Sequence, residues 1–399
     1  MRRSAATLRL SFEAMMRVLL AGGGHTHLIA GPLLSRRLGT AADITLMASS
    51  EKLLYSGMMP GWLAGQYDFA ACAIDLRRLA QAHGLHWKMA TLVDIDFAAR
   101  QAIDSQGVRH DYDLLSLNVG SASPPGLRAA GSSVVTLPAK PFAEFVEAWR
   151  DWLERAPPRP RCFVVGGGAA GFELACALAS LRASEGPMAG ASVDLVTSDA
   201  RLLAGQSRLS AWLAQTTLHR KGVPIHYSSR YVGVAGNQLR LMRHPGVEFS
   251  LDADLVLIAT GAHPPDWLRA CANRQGIRQG ADGGIAVDAG MRSFSDHRVF
   301  AVGDCASFLE QSVPRSGVHA LRQGEPLSAA IAQCLARGPD AARIDPLARY
   351  TPQRRALALL NRCDGTAIAQ WGPLAWAGRA AWRWKDRIDR GFMAGFDQH

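Results

Sequence analysis

The chain has 399 residues, 48% of them hydrophobic and 20% charged, with a formal net charge of +10 at pH 7. That is enough apolar material for two buried cores and an appendage. The arginines are dispersed, without the interleaved aromatic and basic runs of a nucleic-acid reader, so no nucleic-acid partner is expected. No stretch reaches the roughly eighteen uninterrupted apolar residues of a membrane span, and the N-terminus lacks the apolar core of a secretory signal, so a cytoplasmic enzyme-sized globule is expected.

In chain order, residues 1–15 take no part in any periodic pattern and are expected to be a disordered extension, the fold starting near Met16. The stretch VLLAGGGHTHLIA, from Val18 to Ala30, is a hydrophobic strand running into Gly22, Gly23 and Gly24 and then a small-residue helix. This is the setting of the dinucleotide fingerprint G-x-G-x-x-G, with His27 standing in the third glycine position. His27 therefore implies either a wider approach of helix to strand or a contact to phosphate. The second strand, ITLMASSEK, lacks the acid that usually accepts ribose hydroxyls, leaving Ser49, Ser50 or Glu51 as substitutes. YDLLSLNVGSASPP then gives an aspartate, a buried strand, Gly120 and a proline-rich turn.

The plan repeats. RCFVVGGGAAGFELACAL holds a strand at Phe163 to Val165, the complete set Gly166, Gly168 and Gly171, and a helix over Phe172 to Leu181. The first glycine permits a tight turn, the second lets backbone approach a pyrophosphate, and the third lets helix pack on strand; the helix N-terminus then faces the phosphates. VDLVTSDAR again lacks the ribose acid, so Ser198 and Arg201 leave NADH and NADPH both open, and ADLVLIATGAHPPD supplies the matching return strand with Gly261. RVFAVGDCASF sets Gly303 and Asp304 at a strand's carboxyl end, where open α/β sheets bind ligands. The segment Pro373 to Phe396 reads as one amphipathic helix, with Ala377, Ala381, Trp384, Ile388, Phe392 and Phe396 on one face and Arg379, Arg383, Asp386, Arg387 and Arg390 over much of the rest. Trp376, Trp382 and Trp384 beside arginines suit a membrane interface; packing on the first domain or on a partner in a homodimer suits the pattern equally.

The expected fold is α/β: two Rossmann-like dinucleotide-binding domains, the second inserted in the first, with a C-terminal helical tail. The boundaries are 16–120 and 285–340 for the first domain, 121–284 for the second and 341–399 for the tail. Seven cysteines, Cys72, Cys162, Cys176, Cys271, Cys305, Cys334 and Cys363, show no C-x-x-C or C-x-x-x-x-C spacing, which argues against a zinc site or a disulfide framework.

GGGHTH, GGGAAGFE, IATGAHP and AVGDCASF together resemble the flavoproteins with two dinucleotide-binding domains, the superfamily of pyridine nucleotide-disulfide oxidoreductases and type II NADH:quinone oxidoreductases. GGGHTHL, YSGMMPG, LRQGEPL and WRWKDRIDRGFM are similar to the flavoprotein family often fused to selenide, water dikinase, over about Met16 to Phe396; no kinase domain is expected within these residues. The resemblance implies FAD at the first loop, with Gly22, Gly24, His25, Thr26, His27, Ser49 and Gly120 about it and Tyr55, Met58 and Pro60 walling the flavin. It implies NADH or NADPH at Gly166, Gly168, Gly171, Ser198 and Gly261. Gly303 and Asp304 fall where the family's aspartate meets the ribityl chain, and Val318, His319, Ala320 and Gln323 fall at the helix start beside the flavin's pyrimidine ring.

Glu173 matches a family glutamate near the nicotinamide pocket, although a first-turn helix carboxylate has the same look. Lys140 is placed near the flavin or is a solvated loop charge. His25, His27 and His319 are candidate proton donors or structural hydrogen-bonding residues. Disulfide reductases of the superfamily carry C-x-x-x-x-C where this chain reads KLLYSGMMPG, so no thiol relay is expected. The function expected is hydride transfer from nicotinamide to flavin and onward to a small-molecule, quinone-like acceptor. An accessory reductase of selenium or sulfur metabolism, and an FAD-stabilised binding protein with a vestigial nicotinamide site, are the alternatives.

Overall fold

The computed structural model describes residues 15–122, 132–183, 185–243, 245–261, 263–338, 347–353, 355 and 357–397. The expected N-terminal extension lies outside them, apart from its last residue.

Five parallel strands form the first sheet, in the order Val299–Ala301, Leu114–Leu117, Met16–Ala21, Ala42–Ala48 and His86–Met89. Alternate side chains of its central strand serve two layers, as the two-residue period of a strand requires. Val18 and Leu20 pack with Ala30 and Leu34 of helix His25–Leu38 and with Leu327 and Ile331 of helix Gly317–Arg337. Leu19 and Ala21 face the opposite layer, where Leu92, Ile95 and Ala102 belong to the antiparallel meander Leu92–Asp96, Gln101–Asp104 and Arg109–Asp111.

The second sheet repeats this plan with strands ordered Val135–Pro138, Leu255–Ile258, Arg161–Val165, Ser192–Val196 and Ile225–His226. Here Cys162 and Val164 face helices Phe142–Leu153 and Ala169–Leu181, while Phe163 and Val165 face a second meander, Ser229–Ala235, Gln238–Arg243 and Val247–Asp252. Each glycine loop therefore leaves the carboxyl end of the central region of its sheet, the edge at which doubly wound sheets hold ligands.

The chain's end corrects one expectation. Leu374–Gly378 is a strand, paired with Ala367–Trp371, and the last helix is Arg379–Asp397. Gly372, at φ +59, makes the intervening tight turn. Beyond it Leu374 and Trp376 are exposed while Ala375 and Ala377 are half-buried, a period of two that the helical reading overlooked. The helix's buried face is also displaced from the expected one. Ala381, Lys385, Asp389 and Met393 turn inward, and Trp384 and Ile388 stand exposed.

Candidate functional site

The first glycine loop is built around Asn118, a residue the sequence reading passed over inside LNVG. A Cβ at Gly22 would lie 2.3 Å from the Asn118 carbonyl oxygen, and one at Gly24 would lie 2.3 Å from Asn118 Oδ1. The carboxamide accepts from the N–H groups of Thr26 (3.1 Å) and His27 (3.3 Å), and its Nδ2 donates to the Val302 carbonyl, tying the loop to the ends of strands Leu114–Leu117 and Val299–Ala301. Two N–H groups of the helix's first turn are thus taken, and the turn ahead of it, Gly23 and Gly24 on the cleft wall, is left to meet a pyrophosphate. The signal for Asn118 was its place at the end of a parallel strand neighbouring the loop.

His27 is fully buried beneath this loop, with Nδ1 2.7 Å from the Gly22 carbonyl and Nε2 2.8 Å from Ser116 Oγ. A carbonyl only accepts, so Nδ1 carries the proton and Nε2 accepts from the hydroxyl. Burial pushes its pKa down to about 4 against the opposing pull of the Gly22 bond. Both ring nitrogens are engaged, which corrects the expected phosphate contact. In the second loop the equivalent carbonyl is met by close packing instead, since a Cβ at Gly171 would lie 1.8 Å from Gly166 O. One loop closes its turn with an imidazole and the other with a bare backbone. Thr26 is buried too, its hydroxyl donating to the Ala320 carbonyl at 2.7 Å.

Two clefts open above the loops. The first, about 500 Å³, is walled by Gly22 to Gly24, Ser49, Ser50, Gly120 and Trp267; the second, about 660 Å³, by Gly166 to Ala170, Ser198, Arg230 and Gly261. Cβ atoms built on Gly120, Gly168 and Gly261 would meet no protein atom within 4 Å, so these glycines leave room for a ligand rather than for neighbouring side chains. Ala122 lines both clefts, so they adjoin one another there. Beside this junction Asp304 Oδ2 accepts from Lys140 Nζ (2.7 Å) and Ser121 Oγ (2.8 Å). Burial would raise the Asp304 pKa, but Lys140 and the two hydrogen bonds outweigh it and hold the carboxyl below its usual range. Lys140 is accordingly an ion-paired group on the wall of the second cleft, its side chain still 44% exposed.

His25 begins the first-loop helix with its ring edge-on to Tyr55, centroids 5.6 Å apart. Its Nε2 is buried without a hydrogen-bond partner, and burial together with the charge of Lys140 pushes its pKa down to about 4. A neutral, orphaned ring nitrogen beside the open loop is what a bound polar group would satisfy. With the free turn and the open glycines, it fits a dinucleotide in the first cleft.

Other expected site residues have different company. Glu173 does not line the nicotinamide-type cleft; its Oε1 accepts from the Asn361 N–H at 2.6 Å, on the side of the C-terminal strands. Burial, opposed by Lys385, pushes its pKa up to about 7. Met58 and Pro60 are core residues, and Tyr55 OH donates to Asp389 Oδ1 at 3.3 Å. His319 Nδ1 lies 2.6 Å from Tyr350 OH, and Gln323 Oε1 accepts from the Gly303 N–H at 2.7 Å, holding the turn that carries Asp304. Val318 is exposed at the start of that helix. Arg201 folds onto the carbonyls of Ala204 and Gln206, leaving Ser198 and Arg230 at the rim of the second cleft. All seven cysteines are buried and outside any disulfide, and among the described residues none lines either cleft.

The family model described as "pyridine nucleotide-disulphide oxidoreductase" matches residues 3–324, and the chain belongs to that family, whose members are oxidoreductases working with FAD and NAD(P)H. A dihydrolipoyl dehydrogenase of Pseudomonas aeruginosa is 31% identical over 210 residues, covering 52% of this chain and 41% of that protein. This chain thus spans well under half the length of that relative. Ferroptosis suppressor protein 1 of Taeniopygia guttata is 24% identical over 322 residues, 78% of this chain and 80% of its own. Among solved structures, the sulfide:quinone oxidoreductase of Aquifex aeolicus superposes with a TM-score of 0.77 at 15% identity, covering 96% of this chain and 91% of its own, a likeness of fold.

Proposed function

We propose that the chain transfers hydride from NADH or NADPH to bound FAD and passes the electrons to an external quinone-like acceptor, with no internal disulfide between. The observation that carries this reading is the adjacency of the two clefts, which share Ala122 on their walls beside the Lys140–Asp304 pair, with no thiol among the described residues of either wall. On this reading residues 16–120 and 285–340 act as the FAD domain and 121–284 as the nicotinamide domain.

FAD, when bound, supplies the two-electron chemistry, and hydride transfer needs reacting atoms within about 3 to 3.5 Å, so the protein's share is positioning. Gly23, Gly24 and Ser49 would receive the pyrophosphate and ribose of FAD. Asp304, kept ionised by Lys140, would accept from the ribityl hydroxyls, and His25 would meet the cofactor as a neutral ring. Gly168, Ala169 and Ala170 would take the second pyrophosphate at an uncapped helix N-terminus.

A quinone-like acceptor dissolves in lipid, and the outer face of the C-terminal region suits a lipid surface. Trp371, Leu374, Trp376, Trp384 and Ile388 are exposed there, Trp376 stacks on Trp384, and Arg379, Arg383 and Arg387 are exposed among them. Among the described residues no helix is long and apolar enough to cross a membrane, so such an attachment would be peripheral.

The test is anaerobic titration of the purified flavoprotein with NADH and with NADPH, followed by reoxidation with a water-soluble quinone. Bleaching of the flavin absorbance and its return on adding quinone are expected. A protein whose bound flavin neither nicotinamide reduces would refute the reading.

A further inference from the structure

The second cleft has two ends, and the strand order tells them apart. Strand Leu255–Ile258, which runs on into Thr260 and Gly261, lies on one side of the glycine-loop strand Arg161–Val165, and strand Ser192–Val196 lies on the other. The end by Gly261, Ala122 and Lys140 adjoins the first cleft, so on the proposed reading the nicotinamide ring belongs there and Gly166 to Ala170 meet the pyrophosphate. The adenosine ribose then falls on the far side of the loop, where Thr197, Ser198, Asp199, Ser229, Arg230 and Tyr231 line the wall.

A carboxylate at the close of strand Ser192–Val196 would accept from both ribose hydroxyls and repel a phosphate on the 2′ oxygen. Thr197 stands there instead, 2% exposed, with its Oγ1 accepting from the Asp199 N–H at 3.2 Å. The Ser229 N–H donates to the Thr197 carbonyl at 2.9 Å, and this bond sets the next residue, Arg230, on the same wall as Ser198. Three cations line the cleft, and two are already answered: Lys140 pairs with Asp304 and Arg315 with Asp282. Arg230 is exposed and has no carboxylate partner among the described residues; one of its terminal nitrogens lies 3.3 Å from the Met242 sulfur, a weak acceptor. Arg201, the cation of the loop after the strand, is held by the Ala204 and Gln206 carbonyls. Among the described residues Asp199 is the single carboxylate on this wall, exposed and two residues past the strand-end position.

We propose that Arg230, with Ser198 beside it, is a specificity-determining residue that binds a 2′-phosphate and makes NADPH the hydride donor in preference to NADH. The inference rests on the reading of this cleft as the nicotinamide site and names its substrate. A guanidinium presents two parallel N–H donors to two phosphate oxygens, and leaving a thioether costs it little. NADH offers Arg230 a neutral hydroxyl in place of that anion, and it finds no carboxylate at the strand end to receive its ribose.

The test is calorimetric titration of the flavin-loaded protein with NADP+, NAD+, 2′,5′-ADP and 5′-AMP, none of which requires turnover. NADP+ should bind about 10- to 100-fold more tightly than NAD+, and 2′,5′-ADP more tightly than 5′-AMP. Arg230→Met should remove most of that difference and leave NAD+ affinity within about twofold, while Arg230→Lys should keep part of it as a point charge. Raising potassium chloride from about 50 mM to about 500 mM should weaken NADP+ far more than NAD+. Asp199→Asn should leave NADP+ the tighter ligand. Wild-type protein that binds NAD+ as tightly as NADP+ or more so, or a 2′-phosphate preference that survives in R230M, overturns the proposal. A preference for NAD+ that disappears in D199N would do the same and assign the ribose to Asp199. NADP+ bound through Arg230 with a flavin that NADPH cannot reduce would refute the parent reading alone.

Discussion

Replacing His27 by glycine would give the first loop the complete G-x-G-x-x-G spacing, and the structure says the change is harmful. The imidazole bridges the Gly22 carbonyl and the Ser116 hydroxyl in a fully buried site. Its removal orphans two buried polar groups at about 1 to 3 kcal/mol each, and glycine inside a helix costs about 1 kcal/mol more. Water entering the vacated space recovers part of this, leaving a loss of about 3 to 5 kcal/mol, a large share of the stability of an ordinary domain. The loop loses its tether as well, so flavin should dissociate more readily. Denaturant unfolding of the flavin-free proteins gives the stability difference, and flavin fluorescence released on dilution gives the occupancy. His27→Gln, which keeps a donor, should recover part of both. If H27G unfolds at the wild-type denaturant concentration and retains its flavin, the structural role argued for His27 is wrong.

The same residue predicts a pH dependence. His27 titrates at about 4 when folded and near 6.5 when unfolded, so the unfolded chain binds the extra proton. Its contribution is complete above about pH 6.5 and is lost as pH falls toward 4, by about 3 kcal/mol at the low end; pH-dependent unfolding of wild type against H27Q measures it. Gly171→Ala forces a Cβ to within 1.8 Å of the Gly166 carbonyl oxygen, so nicotinamide binding should weaken at least tenfold with flavin content unchanged, as calorimetric titration would show. Because every thiol is buried and burial raises those of Cys72, Cys176 and Cys363, an aromatic disulfide reagent should titrate no thiol in the native protein and seven after denaturation. Changing Trp371, Leu374 and Trp384 together to serine should abolish sedimentation with vesicles containing anionic lipid and leave reduction of the flavin by NAD(P)H intact. Equal sedimentation of the variant would remove the case for that face.

Much of this molecule could be read from local pattern. The glycine spacings, the alternation along buried strands and the matched return strands each depend on residues a few positions apart, and such short-range constraints specified two parallel α/β units and the position of Asp304. The missing cysteines at Lys52 to Gly61 likewise spoke for themselves. Side-chain partnership over long separation was invisible. Asn118 meets its loop from 92 residues away, Lys140 reaches Asp304 across 164, and Asn361 holds Glu173 across 188. The helical pattern at the chain's end was real from Arg379 onward, yet which stripe turned inward was settled by a buried lysine and aspartate finding partners at Gly57 and Tyr55. A sequence fixes which faces are apolar, because periodicity is local. Which charge becomes buried, and what then neutralises it, depends on distant segments arriving at one place, and only the packed chain brings them there.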